Sequence, residues 1–181
     1  MKPQPAVLNV YRLAGGEEIH IRPIQKADLP ALEWEGEYRH FRRLYAEHYG
    51  SFRAGSTLIY IAESQAGIMV GQVFILLYSR NSEVADGMHR AYLFSFRIKP
   101  AYRNQGLGSY MLAFVEEQLL RRGYSIVRLN VAQDNPKARA LYERRGYEVI
   151  GYSPGVWQYQ DDEGAWQTMR EPAWKMLKRL R

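Results

Sequence analysis

The 181-residue chain contains no cysteine. Disulfides, thiolate metal sites and a covalent cysteinyl-acyl intermediate are therefore excluded. Long apolar runs are missing too: the longest, residues 58–62 and 73–78, are strand-sized and fall far short of the ~20 residues a helix needs to cross a bilayer. Histidine is scarce, and His20, His40, His48 and His89 show no paired spacing with carboxylates that would build a metal cage. Each reads as an ordinary surface or packed residue. Residues 1–16 mix proline, glycine and charge without the basic-then-apolar order of a secretory signal. These absences predict a cytoplasmic protein with no metal and no membrane partner, in which residues 1–17 form a loosely held leader and residues 18–181 a single domain.

What is present supports a real core. Hydrophobic residues make up 46% of the chain, enough for one compact domain at this length. The net charge of +6 suits an anionic ligand or a basic surface. Basic residues are dispersed in short clusters such as Arg42-Arg43 and Arg144-Arg145, whereas a nucleic-acid reader concentrates them on one element, so a nucleic-acid partner is disfavoured.

Residues 18–24 alternate as a first strand, and Asp28 is an apparent N-cap for two short helices over residues 29–49, divided by Gly36 and closed by Gly50. Residues 57–63 and 68–78 read as a hairpin, and residues 91–98 as a third meander strand stopped by Pro100. From Leu107, apolar residues fall on one side of a helix that ends before Gly123. A buried strand over residues 125–131 follows, then a helix capped by Asn135-Pro136 and stopped by Gly146. Residues 147–152 and a region over 166–177 read as closing strands joined across the acidic turn at Asp161, Asp162 and Glu163. The order predicts an α+β, mixed α/β, architecture.

The chemistry is concentrated after Ile98. A strand ends, the chain turns, and Gly106 and Gly108 open a long helix whose first amides lack partners and can face an anion. A Cβ at either glycine is expected to obstruct phosphate oxygens, and Arg103 to add a charge-assisted contact. A plain turn before a helix explains the same glycines. A dinucleotide fingerprint is excluded by Met111, and a P-loop by the lack of Gly-Lys-Ser/Thr.

Arg103-x-x-Gly106-x-Gly108, after a strand ending Ile98-x-Pro100, resembles the acetyl-CoA motif of the GNAT N-acetyltransferase superfamily. A second stretch, Asn135-Pro136-Lys137-Ala138-Arg139-Ala140-Leu141-Tyr142-Glu143-Arg144-Arg145-Gly146-Tyr147, is similar to that family's Asn-x-x-Ala-x-x-Leu-Tyr-x-basic-x-Gly-aromatic helix. Ile21-Arg22-Pro23 followed by Ala27-Asp28-Leu29 resembles its first strand and helix, so the likeness spans about residues 19–152.

The resemblance implies a mostly antiparallel sheet with splayed strands four and five, flanked by helices on both faces, and acetyl-CoA as co-substrate. It places pantetheine against the backbone of Phe96, Arg97 and Ile98, and the pyrophosphate on Arg103, Asn104, Gln105, Gly106, Leu107, Gly108 and Ser109. Asn135 and Ala138 also face the cofactor by analogy, although the N-cap alone accounts for Asn135. An amide of Phe96 or Arg97 would polarise the thioester carbonyl. Tyr142 stands where similar enzymes place a general acid for the leaving thiolate, and core packing is its competing explanation. The base is unassigned: many relatives use a carboxylate in strand four, where this chain reads Arg90-Ala91-Tyr92-Leu93-Phe94-Ser95. Glu33, Glu37 and Glu63 are weak candidates, with Glu35, His89 and ordered water behind them. Trp34, Tyr38 and Tyr45 line the acceptor site by the same analogy. The expectation is direct acetyl transfer to a small amine or a peptide amine through a ternary complex; the alternative is a non-catalytic acyl-CoA sensor. Acceptor identity, acyl-chain preference and the choice between monomer and homodimer are not legible.

Overall fold

The computed structural model describes residues 6–181. Among these residues ten strands form two sheets, and three α-helices accompany them. The large sheet runs in the order β1 (Asn9–Arg12), β2 (Glu18–Pro23), β3 (Thr57–Ser64), β4 (Met69–Leu76), β5 (Arg90–Ile98), β6 (Ile126–Ala132), β10 (Ala173–Arg179), β7 (Glu148–Ser153). Every pairing in it is antiparallel except β5 with β6. A separate hairpin joins β8 (Val156–Gln160) to β9 (Trp166–Arg170).

Period-two alternation in the central strands feeds two cores. Tyr60 and Ala62 of β3, with Val73 and Ile75 of β4, face α2 (Leu107–Leu120), which contributes Leu107, Met111, Phe114 and Leu119. Ile59, Ile61 and Phe74 point the other way, onto Phe41 and Tyr45 at the start of α1 (Arg42–Arg53) and onto Leu32. Helices thus cover both faces, and no described helix is long and apolar enough to cross a membrane. The third helix, α3 (Pro136–Arg144), packs Ala138, Leu141 and Tyr142 beside α2's core.

Several expectations change. The stretch expected to be a loose leader contains β1, whose four residues pair with β2; the tilted rings of Tyr11 and Tyr110 meet with centroids 4.7 Å apart. Such a strand depends on distant partners, which local sequence does not show. Residues 1–5 lie outside the described residues. The first of the two early helices is a 3₁₀ segment, Lys26–Gly36, capped by Gln25; Asp28 sits at its third position, accepts the Gln25 amide at 2.6 Å and pairs with buried Arg22. Gly50 does not close α1, which continues to Arg53; its exposed position tolerates the modest helix cost of glycine. The acidic turn joins β8 to β9, outside the large sheet. Pro172, with no amide to donate, separates β9 from β10.

Candidate active site

After β5, a 3₁₀ turn (Pro100–Tyr102) leads to two left-handed residues, Asn104 (φ 59°) and Gly106 (φ 85°), which turn the chain into α2. Tyr110 makes the first bond of that helix, to the Gly106 carbonyl. The amides of Asn104, Gln105, Gly106, Leu107, Gly108 and Ser109 donate to no protein acceptor among the described residues. Six consecutive open donors at the positive end of a helix dipole form an anion cradle.

Side chains brace this loop from behind. Arg103 Nε donates to the Ile98 carbonyl at 2.7 Å, Gln105 Nε2 to the Ala101 carbonyl at 2.8 Å, and the Tyr11 hydroxyl to the Gln105 carbonyl at 2.7 Å. Leu107 is fully buried, so its side chain is closed to a ligand. The two glycines are required for reasons other than phosphate clearance. A Cβ on Gly106 would lie 2.3 Å from the Tyr11 hydroxyl in a left-handed backbone, and one on Gly108 would crowd Leu141 and Ile98 at 3.3 and 3.4 Å.

Alongside the cradle the sheet opens. β5 and β6 pair only from Arg90 to Leu93 and from Ile126 to Leu129, and then diverge. At that point Ser95 adopts φ 47°, and the β4–β5 register slips between Gln72 and Phe74. This is a bulge, which interrupts the ladder and re-aims the backbone of β5. The wedge between the strands holds a pocket of about 180 Å³, lined by Phe94, Ser95, Phe96, Asn130, Ala132, Asn135, Ala138 and Tyr142. Asn135 Oδ1 accepts the Ala138 amide at 3.1 Å, the expected N-cap. Burial, with Tyr92 nearby, raises the Tyr142 phenol above its ordinary range, so it keeps its proton.

On the opposite side of the wedge lies a larger cleft of about 750 Å³. Its walls come from Tyr38, Phe41, Tyr45 and His48 on the early helices, Phe74, Phe94 and Arg97 on the sheet, Trp157 and Met169 on the hairpin, and Glu171. Phe94, Ser95, Asn130 and Ala132 line both chambers, which therefore meet where the strands part. Beneath the floor, fully buried Gln72 accepts the Trp34 indole N–H at 3.0 Å and donates to Ser95 Oγ at 3.3 Å, pinning the bulge. Trp34 reaches it from a left-handed backbone (φ 47°), so it supports the floor and does not line the cleft. Tyr38 and Tyr45 do line it.

The candidate carboxylate bases lie elsewhere. Glu63 is paired with Arg22, Glu33 with Arg42 at 2.7 and 2.9 Å, and Glu35 with Lys99 at 2.6 Å; Glu37 is exposed; none of them, nor His89, lines either chamber. The Arg42 hydrogen bonds hold Glu33 below the usual carboxylate range. Of the acidic turn, Asp162 is taken by Arg39 at 2.8 Å and Asp161 accepts amides of its own turn. The cleft instead contains His48, whose ring meets Phe74 and Phe94 and whose pKa burial lowers to about 4. Its signal in the sequence was helical spacing: Phe41, Tyr45 and His48 share one face of α1. Arg97 was expected to matter through its backbone, yet its side chain lines the cleft. Glu171, Trp157 and Gln72 carried no sequence signal.

Among known proteins, thialysine N-epsilon-acetyltransferase of Sus scrofa is 35% identical over 114 residues, 62% of this chain and 62% of that protein. The chain thus spans less than two thirds of that relative. Two solved structures share the fold: ribosomal-protein-S18-alanine N-acetyltransferase of Escherichia coli (TM-score 0.67, 23% identity, 90% of this chain and 94% of that one) and yncA of Salmonella typhimurium, solved with its cofactor acetyl-CoA (TM-score 0.67, 16% identity, 90% and 94%). Residues 21–147, which contain the bulge, the splay, the cradle and α3, match the family model described as Acetyltransferase (GNAT) family. With most of its length and all of these features inside that match, the chain belongs to the GNAT acetyltransferase family.

Proposed function

We propose that the protein moves the acetyl group of acetyl-CoA directly to an amine, with both substrates bound at once. The observation that carries this reading is the meeting of two chambers at Phe94, Ser95, Asn130 and Ala132, one beside an anion cradle and the other open to an acceptor. The amides of Asn104, Gln105, Gly106, Leu107, Gly108 and Ser109 bind the pyrophosphate, with the free guanidinium end of Arg103 beside them. The pantetheine arm enters the wedge along Phe96, Arg97 and Ile98, past Asn135 and Ala138. The acyl carbonyl then lies at the bulge, where a re-aimed amide of Phe96 or Arg97 stabilises the oxyanion.

The acceptor must lose a proton before its lone pair attacks the carbonyl carbon. His48 is neutral at pH 7, has a base strength close to that of a carboxylate, and stands in the acceptor cleft. It takes that proton. As the tetrahedral intermediate collapses, the C–S bond breaks and Tyr142 gives its phenolic proton to the departing sulfur. Titration calorimetry with acetyl-CoA should show saturable binding, and a thiol-release assay should show release that depends on an added amine. Saturable binding without release across amines, amino acids and peptides would leave the acyl-CoA sensor as the reading; no binding would remove both.

A further inference from the structure

The cleft contains a cation that is paired with no anion. Arg97 is only partly exposed, yet it takes part in none of the ion pairs among the described residues. Its position is fixed: Nη1 donates to the Tyr45 hydroxyl at 2.9 Å and to Ser95 Oγ at 3.3 Å, and its Cζ lies 4.0 Å from the centre of the Tyr38 ring. Those contacts use one nitrogen. Nε and Nη2 make no hydrogen bond within the protein, and neither is among the sealed, unpartnered polar atoms. That edge of a guanidinium is a planar two-donor fork with the spacing of a carboxylate. An immobilised fork on the wall of an aromatic cleft favours binding, since little side-chain freedom remains to be lost.

We infer that Arg97 anchors a carboxylate of the acceptor, so that the acetylated amine belongs to an amino acid with an apolar side chain. This rests on the acetyl-transfer reading. Ser95 lines both chambers and lies 3.3 Å from Nη1, so Arg97 is anchored where the chambers meet, and a carboxylate on its open edge is held in the larger cleft on the far side of the guanidinium from that junction. The remaining wall, Phe41, Phe74 and Trp157, takes the apolar side chain. A polyamine would bring its second ammonium towards the Arg97 charge, and the one carboxylate lining the cleft, Glu171, is exposed and accepts the Trp157 indole N–H at 3.2 Å.

The test compares thiol release for L-phenylalanine, L-phenylalaninamide and spermidine, within a wider apolar amino-acid panel, by wild type and Arg97→Met. Acetyl-CoA affinity is measured separately by calorimetry. A charge-assisted pair predicts that each acid exceeds its amide by about tenfold or more in kcat/KM, chiefly through KM, and that Arg97→Met brings the ratio to about one. If Arg97 only packs against Tyr38, the variant lowers acid and amide equally, which overturns the inference. Equal or better use of amide or spermidine by wild type also overturns it. So does an absence of release with every amino acid while acetyl-CoA still binds. Failure to bind acetyl-CoA shows up in the calorimetry alone and defeats the underlying reading first.

Discussion

The two chambers that meet at Ser95 are built from different materials. The cradle side is made of main chain: six open amides, two glycines and a bulge, with side chains bracing from outside. The acceptor side is made of side chains, brought together from α1, the sheet and the β8–β9 hairpin. Main-chain recognition depends on backbone conformation and tolerates most substitutions, so it leaves a spaced glycine motif. Side-chain recognition depends on each residue, and its members need share no sequence neighbourhood.

The sharpest test of this division is Tyr142, a cofactor-side position where a side chain is expected to act. Phenylalanine fills the same buried volume beside Tyr147, whose ring centroid is 5.6 Å away, so Tyr142→Phe isolates the proton. We expect kcat to fall about 100-fold, within the usual range for loss of a general acid, while acetyl-CoA affinity by calorimetry stays within about twofold. Unchanged kcat would reduce Tyr142 to packing. Next in size is a matched pair of glycine substitutions, one in each region. Gly106→Ala forces a left-handed alanine against the Tyr11 hydroxyl, and acetyl-CoA affinity should drop about tenfold. Gly155→Ala places a Cβ 1.8 Å from the Glu171 carbonyl, which must push the hairpin away from the cleft wall. Acceptor KM should then rise several-fold with acetyl-CoA affinity unchanged. Asn104→Gly serves as the control on the main-chain side and should change affinity less than about twofold, because glycine keeps the left-handed backbone and only the amide of this residue is assigned to the anion. If the two glycine variants affect the same substrate, the division between the chambers is wrong.

The same division explains what could be read from the sequence. The turn at Gly106 and the Asn135 cap are local features, so spacing alone gave the starts of α2 and α3, while leaving an anion cradle and a plain turn as two explanations of the glycines. The wedge followed from the family resemblance, but the bulge at Ser95 did not, because it arises from a register slip between β4 and β5 that neither strand shows by itself. The family analogy puts Tyr38, Tyr45 and Trp34 in an acceptor wall; Tyr38 and Tyr45 line the larger cleft, whereas Trp34 lies under its floor on Gln72. Glu33 and Glu63 had the right chemistry for a base but are held by Arg42 and Arg22, partners that only the fold brings close. β1 escaped notice because four residues between proline- and glycine-containing segments carry no period until β2 lies beside them.

The smallest effect expected tests whether His48 is a neutral member of the acceptor side. Its folded pKa of about 4 lies below the ordinary value near 6.5, so between those limits the unfolded chain binds the proton and the folded chain does not. Stability therefore falls as pH drops from about 6.5 towards 4, and no further loss from this group follows below that. Discounted for partial exposure, the penalty at pH 5 is about 1 kcal/mol, or about 3 °C in Tm for a chain of this size. Asp86 contributes elsewhere: burial opposes its charge, but the amides of Arg90, Met88 and His89 lower its pKa to about 2, so its stabilisation is lost mainly below pH 4. Comparing Tm at pH 5 and 7.5 for wild type and His48→Phe isolates the histidine, since phenylalanine extends the Phe74–Phe94 cluster and carries no titrating group. The variant should narrow the gap between the two pH values by about 3 °C. An unchanged gap would mean that His48 is solvated in the cleft, and its assignment as the neutral proton acceptor would fall with it.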